Sequence, residues 1–273
     1  MQNKILIAVA VLGIAAVAAQ AQVDPSKQAP VALENQGGGW QLELTPYAWL
    51  AGIEGDVTVG GQETEFDKGF SDIVDAVDIG GSLLAIAQYD RYLVWGQVDY
   101  FATDTDNLDV EDRPEGGSLE TKMLLGEVAV GYQVDGWMDG QTFDFLVGVR
   151  TLHLENDLTV TGVGEGSSEN DLVDPILVMR PSIQVFPSKI DGLRFNPTLA
   201  IGGGGDSDLV YELQPQFQYQ ISDTVAARVG YRTVGYRFKG DDAQNPVVQG
   251  KVSEDDELNI NLSGLIVGLG VTF

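Results

Sequence analysis

The stretch Leu265-Ile266-Val267-Gly268-Leu269-Gly270-Val271-Thr272-Phe273 carries an apolar side chain at every second position, and the positions between them are mostly small. A period of two is typical of a β-strand whose two faces meet different surroundings. The apolar positions that define the face are Leu265, Val267, Leu269, Val271 and Phe273. The sequence therefore ends in a predicted strand with one apolar face and a terminal aromatic residue.

The same alternation recurs from Trp40 onward, most clearly in Leu209–Gln220, where glutamine and glutamate alternate with leucine, tyrosine and phenylalanine. A transmembrane β-strand needs ~9 to 11 residues when it is tilted. The pattern predicts an all-β protein, a transmembrane antiparallel up-and-down β-barrel of about ten strands, with eight or twelve as alternatives. The predicted strands are 40–51, 79–89, 91–103, 118–133, 141–154, 172–186, 192–202, 208–220, 223–238 and 257–273.

Residues 1–21 have the pattern of a cleaved secretory signal peptide, with Lys4, an apolar stretch and the small-x-small ending Ala19-Gln20-Ala21. Residues 22–39 are polar, contain two prolines and end in three glycines, which is typical of a flexible periplasmic lead-in. The barrel is predicted to occupy 40–273. No segment is long and apolar enough to be a transmembrane helix.

Composition restricts the function. The chain of 273 residues has no cysteine, so no disulfide can stabilise it in an oxidising compartment. A closed network of backbone hydrogen bonds supplies that stability in a barrel. The net charge of −26 and the 15 lysines and arginines argue against nucleic acid as a partner, because phosphate binding needs clustered cations.

The connections between the predicted strands differ in length on the two sides of the membrane. Short links alternate with longer ones at 52–78, 104–117, 155–171, 203–207 and 239–256, and the longer set, with 25 acids and 4 bases, carries most of the net charge of −26. Short periplasmic turns and long external loops are typical of outer-membrane barrels. In the first external loop we predict a small hairpin turning at Gly60-Gly61 and then a short helix over 70–78, capped by Ser71.

Strand parity divides the side chains between lipid and lumen. Val94, Val98, Val128, Val147 and Val229 fall on the predicted lipid face. The predicted lumen-lining residues carry charges of both signs, which favours pairing across a narrow lumen over an open channel. They are Gln97, Asp99, Glu127, Asp144, Arg150, Arg180, Gln184, Arg194, Glu212, Gln214, Gln216, Arg228 and Arg232.

Catalytic chemistry finds little support. Nucleophilic acyl transfer needs a hydroxyl beside a base, and the single histidine, His153, has no serine at the alternate positions. Asp104-Thr105-Asp106 resembles half of the acidic site of omptin-type proteases, but Thr151 stands where the partner Asp-x-His motif needs aspartate. The acids from Asp104 to Asp112 do not have EF-hand spacing. We therefore predict no catalytic residue, no metal site and no cofactor.

The chain resembles a widespread group of poorly characterised Gram-negative outer-membrane barrels, described as porin-like or OmpA-like. The resemblance rests on Thr45-Pro46-Tyr47-Ala48-Trp49-Leu50-Ala51-Gly52-Ile53-Glu54-Gly55, on Phe70-Ser71-Asp72-Ile73, on Asp174-Pro175 and on the ending Gly268-Leu269-Gly270-Val271-Thr272-Phe273. It implies a cell outer-membrane location and an assembly signal in the last strand that the barrel assembly machinery reads. It implies no catalytic residues.

We therefore expect a non-enzymatic, monomeric outer-membrane barrel with a structural role in the envelope or weak passage of small solutes. The expected partners are outer-membrane lipid and lipopolysaccharide, with divalent cations held loosely at the external rim. Two alternatives stay open: a lipid-modifying or proteolytic surface enzyme, and a surface-binding protein that uses acidic external loops.

Overall fold

The computed structural model describes residues 39–59, 62–68, 77–110, 113–160, 164–186, 190, 192–239 and 257–273. Its described residues form thirteen β-strands joined by turns. No helix among them is long and apolar enough to cross a membrane. The predicted signal peptide, nearly all of the lead-in and residues 70–76 of the predicted helix lie outside the described residues. Val77 and Asp78, the last two residues of that predicted helix, belong to a strand.

The strands follow one another with short gaps. They are β1 Trp40–Val59, β2 Gln62–Lys68, β3 Val77–Tyr89, β4 Tyr92–Val110, β5 Arg113–Asp135, β6 Thr142–Val160, β7 Gly164–Gln184, β8 Leu193–Phe195, β9 Thr198–Gly202, β10 Leu209–Gln214, β11 Gln216–Gln220, β12 Val225–Lys239 and β13 Glu257–Thr272.

Antiparallel pairing closes these strands into a barrel. The first and last strands meet, β1 with β13, and neighbours in sequence pair around the rest of the wall. β8 and β9 occupy one wall position, and β10 and β11 occupy another, because each pair shares the same neighbours. With β2 attached only to β1, ten wall positions remain, as the sequence predicts.

Prolines divide the two broken wall positions. Pro197 separates β8 from β9 and Pro215 separates β10 from β11, and proline has no backbone N–H to donate to a ladder. Backbone bonds across the breaks keep the wall continuous: Asn196 N donates to Gln216 O at 2.9 Å, and Tyr231 N donates to Pro215 O at 3.0 Å. The interruption is therefore local.

The external ends of four strands correct the sequence prediction. Most of 104–117 and 155–171, predicted as loops, continues the ladders of β4 to β7, which are 19, 23, 19 and 21 residues long. Asp104 pairs with Glu120, and Glu120 pairs with Asp157. The two-face pattern disappears there because neither face contacts lipid, while backbone pairing needs no apolar face. β1 and β2 pair antiparallel up to Val59 and Gln62, and the predicted turn at Gly60-Gly61 lies outside the described residues.

The outer surface is apolar around the barrel. Large hydrophobic side chains from nearly every wall strand are exposed there, including Val94, Val128, Val147, Leu177, Ile201, Leu213, Val229 and Val267. A water-soluble sandwich would instead bury these side chains. The inside-out distribution of a membrane-spanning barrel, predicted from parity, is thus confirmed.

Aromatic side chains collect at the periplasmic end. Trp40 lies against Tyr89 with ring centroids 5.4 Å apart, and Tyr92 lies against Tyr132 at 5.2 Å. All four are exposed, as is Phe273. Amphipathic rings at this level are typical of the boundary between hydrocarbon and headgroups.

Candidate functional site in the barrel interior

The interior side chains form three layers, which we name from the periplasmic turns outward. The periplasmic layer contains Glu43, Gln88, Asp144, Arg180, Arg194, Gln218 and Arg228. The central layer contains Tyr47, Gln97, Asp99, Glu127, Arg150, Glu212 and Arg232. The external apolar layer contains Leu125, Leu152, Leu172, Val210, Val234, Tyr236, Phe238, Leu258 and Leu262.

Ten of the thirteen predicted lumen residues belong to the periplasmic and central layers. Twelve of the thirteen are buried, and Gln184 is half-buried at the periplasmic end of β7. Gln214 and Gln216 line a small void of about 10 Å³ between the central and periplasmic layers. The remaining ten are charged or, in Gln97, contact a charge.

Arg232 is the hub of the central layer. Its Nη1 donates to Asp99 Oδ2 at 2.5 Å, its Nη2 to Glu127 Oε1 at 2.6 Å and its Nε to Glu212 Oε1 at 2.9 Å. Trp49 covers the guanidinium, with its ring centroid 4.6 Å from Cζ. With its amide oxygen turned towards Arg232, Gln97 accepts a further bond at 2.8 Å. Every nitrogen of this guanidinium is hydrogen-bonded.

Arg150 completes the central layer from the opposite wall. Its Nη2 donates to Glu127 Oε2 at 3.1 Å and also contacts Glu212, so both glutamates bridge the two arginines. These charged side chains are at most 1% exposed. Three carboxylates face two guanidinium groups. Removing charges from water is costly, and hydrogen bonds on each of these groups offset that cost.

The external apolar layer closes the lumen above the charges. Leu125, Val210, Val234 and Phe238 are fully buried inside the barrel. At this level the wall therefore carries apolar side chains on both its inner and its outer face. The sequence prediction missed this layer, because it assumed that apolar residues face lipid. β12 contains the missed signal: Val234, Tyr236 and Phe238 have the same parity as Arg228 and Arg232.

A tight external turn covers one side of this layer. Residues 203–208 fold onto β7, where Asp174 accepts hydrogen bonds from Ser207 Oγ at 2.8 Å and from Ser207 N at 3.0 Å. Gly203 and Gly204 have φ angles of 128° and 77°, which favour glycine over other residues. Asp174 is thereby held at 1% exposure beside the apolar side chains.

The periplasmic layer is packed less completely. Arg228 Nη2 bonds Glu43 Oε1, which also accepts from Thr45 Oγ1 at 2.7 Å. Arg180 Nη1 lies 3.5 Å from Asp144 Oδ2, within ion-pair range but without hydrogen-bond geometry. A cavity of about 50 Å³ lies between these groups at the periplasmic mouth.

His153 lies outside the lumen, at the external rim above the lipid-facing Val149 and Val173. Its Nδ1 is 2.7 Å from Asp171 Oδ1, and this hydrogen bond raises the pKa of His153. Glu169 completes a trio whose ligating atoms lie within 4.8 Å of one another. Nδ1 of His153 is already hydrogen-bonded to Asp171 and so is not available to a metal ion. The arrangement is therefore that of an exposed ion pair.

One large surface depression is not part of the lumen. It measures about 990 Å³ and lies on the outer wall of β4 to β9, where its exposed side chains include Val94, Val130, Phe145, Val147, Leu177 and Ile201. These residues belong to the apolar belt, so the depression is a concave part of the lipid-facing surface.

No protein-family model matches the chain, and no curated protein matches it. Its fold is similar to those of solved barrels. The outer-membrane protease OmpT from Escherichia coli is 9% identical and covers 86% of this chain and 96% of its own, with a TM-score of 0.47. Ail, the attachment invasion locus protein of Yersinia pestis, solved with the heparin analogue sucrose octasulfate, is 8% identical over 87% of this chain and 100% of its own, with a TM-score of 0.38.

Neisserial surface protein A is 10% identical over 86% of this chain and 97% of its own, with a TM-score of 0.29. These likenesses concern the fold alone. The closed ten-strand wall itself is the architecture that the resemblance to Gram-negative outer-membrane barrels implies.

Proposed function

We propose that the protein is a closed, non-conducting and non-enzymatic outer-membrane barrel with a structural role in the envelope. The observation that carries this proposal is the central layer, whose charged side chains are at most 1% exposed. A solute crossing the lumen would have to break several charge-assisted hydrogen bonds at once.

The external apolar layer adds a second barrier. A hydrated ion that passed the central layer would next meet buried Val234, Tyr236 and Phe238. Apolar constrictions exclude ions by dewetting. The two layers together favour the structural role over weak passage of solutes.

Planar-bilayer recording tests the closed lumen. The full chain, folded in detergent and reconstituted, is expected to give no unitary conductance at moderate voltage. A variant with both layers weakened, Arg232→Ala with Phe238→Ala, serves as the matched comparison, once its mobility with and without boiling shows that it is folded. Reproducible unitary conductance of the unaltered protein would overturn the proposal.

A second function has its own support, the extension of β4 to β7 beyond the membrane. Exposed or half-buried acids project from it, among them Glu120, Glu155, Asp157, Glu169 and Asp171. A raised acidic sheet attracts cations and polybasic ligands. Under this function the closed barrel anchors a surface-binding sheet, and divalent cations bridge it to lipopolysaccharide phosphates.

The sheet function is tested by neutralising acids without altering the barrel. The variant Glu120→Gln, Asp157→Asn and Glu169→Gln is expected to bind a polylysine probe less tightly than the unaltered protein at low salt. A set of periplasmic changes of equal charge, Asp90→Asn, Asp135→Asn and Asp139→Asn, is the control. Equal loss of polylysine affinity in both variants would mean that the net charge of the protein, and not the position of the acids, determines binding.

We also propose an outer-membrane location, a cleaved signal peptide and a monomeric state. The apolar belt and the aromatic periplasmic end support the location. Expression in a Gram-negative host is expected to place the protein in the outer-membrane fraction, with a mature amino terminus at Gln22. Unprocessed protein in the inner membrane would contradict this proposal.

The absence of catalysis is tested at the sole histidine. Lipid A and peptide-cleavage profiles of cells that express His153→Ala are expected to equal those of cells that express the unaltered protein. A profile that depends on His153 would favour the surface enzyme.

A further inference from the structure

We infer that the cavity in the periplasmic layer is a binding site for a small oxyanion that enters from the periplasm. This inference goes beyond the proposed function, because the site lies below the central layer and needs no passage across it. Its evidence is a set of buried hydrogen-bond donors directed into one cavity.

Arg228 supplies the strongest donors. It is 5% exposed, and only its Nη2 has a partner, Glu43; its Nε and Nη1 make no hydrogen bond to any residue that the structure describes. A buried guanidinium normally has all of its donors satisfied, because an unsatisfied charged donor loses its hydration without compensation. Two donors on one arginine therefore point to a ligand.

Arg180 lies on the opposite wall of the same cavity and is 8% exposed. Its Nη1 is buried and makes no hydrogen bond to the described residues, since Asp144 is 3.5 Å away in unsuitable geometry. The Thr142 hydroxyl, also buried and unpartnered there, lines the cavity between the two arginines. Two guanidinium groups and a hydroxyl are the donors that recognise oxyanions.

Two carboxylates, Glu43 and Asp144, and two guanidinium groups, Arg180 and Arg228, line the cavity, so their formal charges balance. Glu43 engages only one nitrogen of Arg228, and Asp144 makes no hydrogen bond with Arg180 Nη1, so the donors named above stay available to a ligand. The central layer above has three carboxylates and two guanidinium groups, and its excess negative charge opposes movement of an anion further into the lumen.

The volume limits the size of the ligand. A buried water molecule needs roughly 10 to 15 Å³ of cavity volume. The cavity of about 50 Å³ therefore admits a ligand of about four water-sized atoms. Phosphate, bicarbonate and acetate are in this range, whereas a sugar or nucleotide is not. Gln88 Oε1, another buried atom without a described partner, could accept from a protonated oxygen of the ligand.

Calorimetric titration of the full mature chain in detergent micelles tests the site, with inorganic phosphate as the probe. Saturable binding in the millimolar range is expected, with chloride weaker and ammonium absent. Arg228→Gln is expected to reduce the affinity at least tenfold, and Thr142→Val several-fold. Arg237→Gln removes an exposed arginine from the same strand and is expected to leave the affinity unchanged.

If Arg228→Gln does not fold, a second variant still tests whether phosphate binds at this site. The pair variant Glu43→Gln with Arg228→Gln removes the carboxylate that the single change leaves alone, and it is expected to fold and to lose phosphate binding. Phosphate binding that persists in this variant, or that is undetectable in the unaltered protein, would overturn the inference and leave a cavity filled by water.

Discussion

Arg232 and Arg228 lie four residues apart on the same face of β12, and their surroundings differ sharply. Arg232 donates from all three of its nitrogens to Asp99, Glu127 and Glu212. Arg228 donates from one nitrogen to Glu43 and leaves two buried donors without a described partner. One arginine closes the lumen, and the other is suited to binding.

The polar interior of this small barrel is therefore not uniform. Among the described side chains of the central layer only Arg150 Nε lacks a hydrogen-bond partner, so this charge network has little capacity for a ligand, and opening it costs several bonds together. An incompletely satisfied layer is less stable by itself and gains stability when a ligand completes it. Stability and binding are thus assigned to neighbouring layers of the same lumen.

The largest expected effect separates the two arginines directly. Arg232→Met leaves three buried carboxylates with Arg150 alone, and breaking such a network costs about 3–5 kcal/mol. Arg228→Met leaves only Glu43, which retains Thr45, so its cost should be about 2 kcal/mol smaller. Denaturant unfolding in lipid vesicles, followed by tryptophan fluorescence, measures both free energies. Equal costs would remove the distinction between the layers.

Removing whole ion pairs sharpens the comparison. Glu43→Leu with Arg228→Met removes a nearly self-contained pair and should change the unfolding free energy by less than about 1 kcal/mol. Asp99→Leu with Arg232→Met still leaves Glu127 and Glu212 short of donors and should cost about 3 kcal/mol. Double-mutant cycles from the four single variants give the coupling energies. Similar coupling in both layers would contradict the two-layer account.

Deleting a single hydroxyl in each layer tests the same difference between the central and periplasmic layers, with smaller expected changes in the free energy of unfolding. Tyr47 OH donates to Asp99 Oδ1 at 2.5 Å, so Tyr47→Phe should cost about 1–3 kcal/mol by leaving a buried carboxylate oxygen unpaired. The Thr142 hydroxyl has no described partner, so Thr142→Val in phosphate-free buffer should cost about 0 kcal/mol. The same unfolding assay measures both changes. A large loss of unfolding free energy in Thr142→Val would mean that the Thr142 hydroxyl already has a hydrogen-bond partner without phosphate.

The smallest effect concerns an ion pair outside the lumen. Asp171 raises the pKa of His153, so the pair stabilises the folded state when His153 is protonated. That contribution is complete below the ordinary histidine pKa of ~6.5 and is lost as the pH rises through the higher folded value. It should be below about 1 kcal/mol because the pair is exposed. NMR titration of the single histidine checks the direction, and Asp171→Asn should lower the pKa.

Much of the barrel could be predicted from strand parity. Leu213 and Phe217 face outward while Glu212 and Gln216 face inward, because successive side chains point to opposite faces and lipid accepts only one kind. The external halves of β4 to β7 could not be predicted in this way, since a strand in water on both faces carries no such pattern. The external apolar layer was missed for a related reason: Phe238 is apolar whether it faces lipid or a packed interior.

The sequence by itself determined the strands and their two faces, because the period of two is a local property of the backbone, and strand length together with the unequal connections predicted that the apolar face meets lipid. Which charges meet was decided only by closure of the wall. Arg232 reaches Asp99 across 133 residues of sequence, and Arg150 reaches Glu212 across 62. The stagger of the ten paired strands sets the height of each side chain along the barrel axis. Arg228 and Arg232, although alike in local sequence, therefore acquire different partners and different roles.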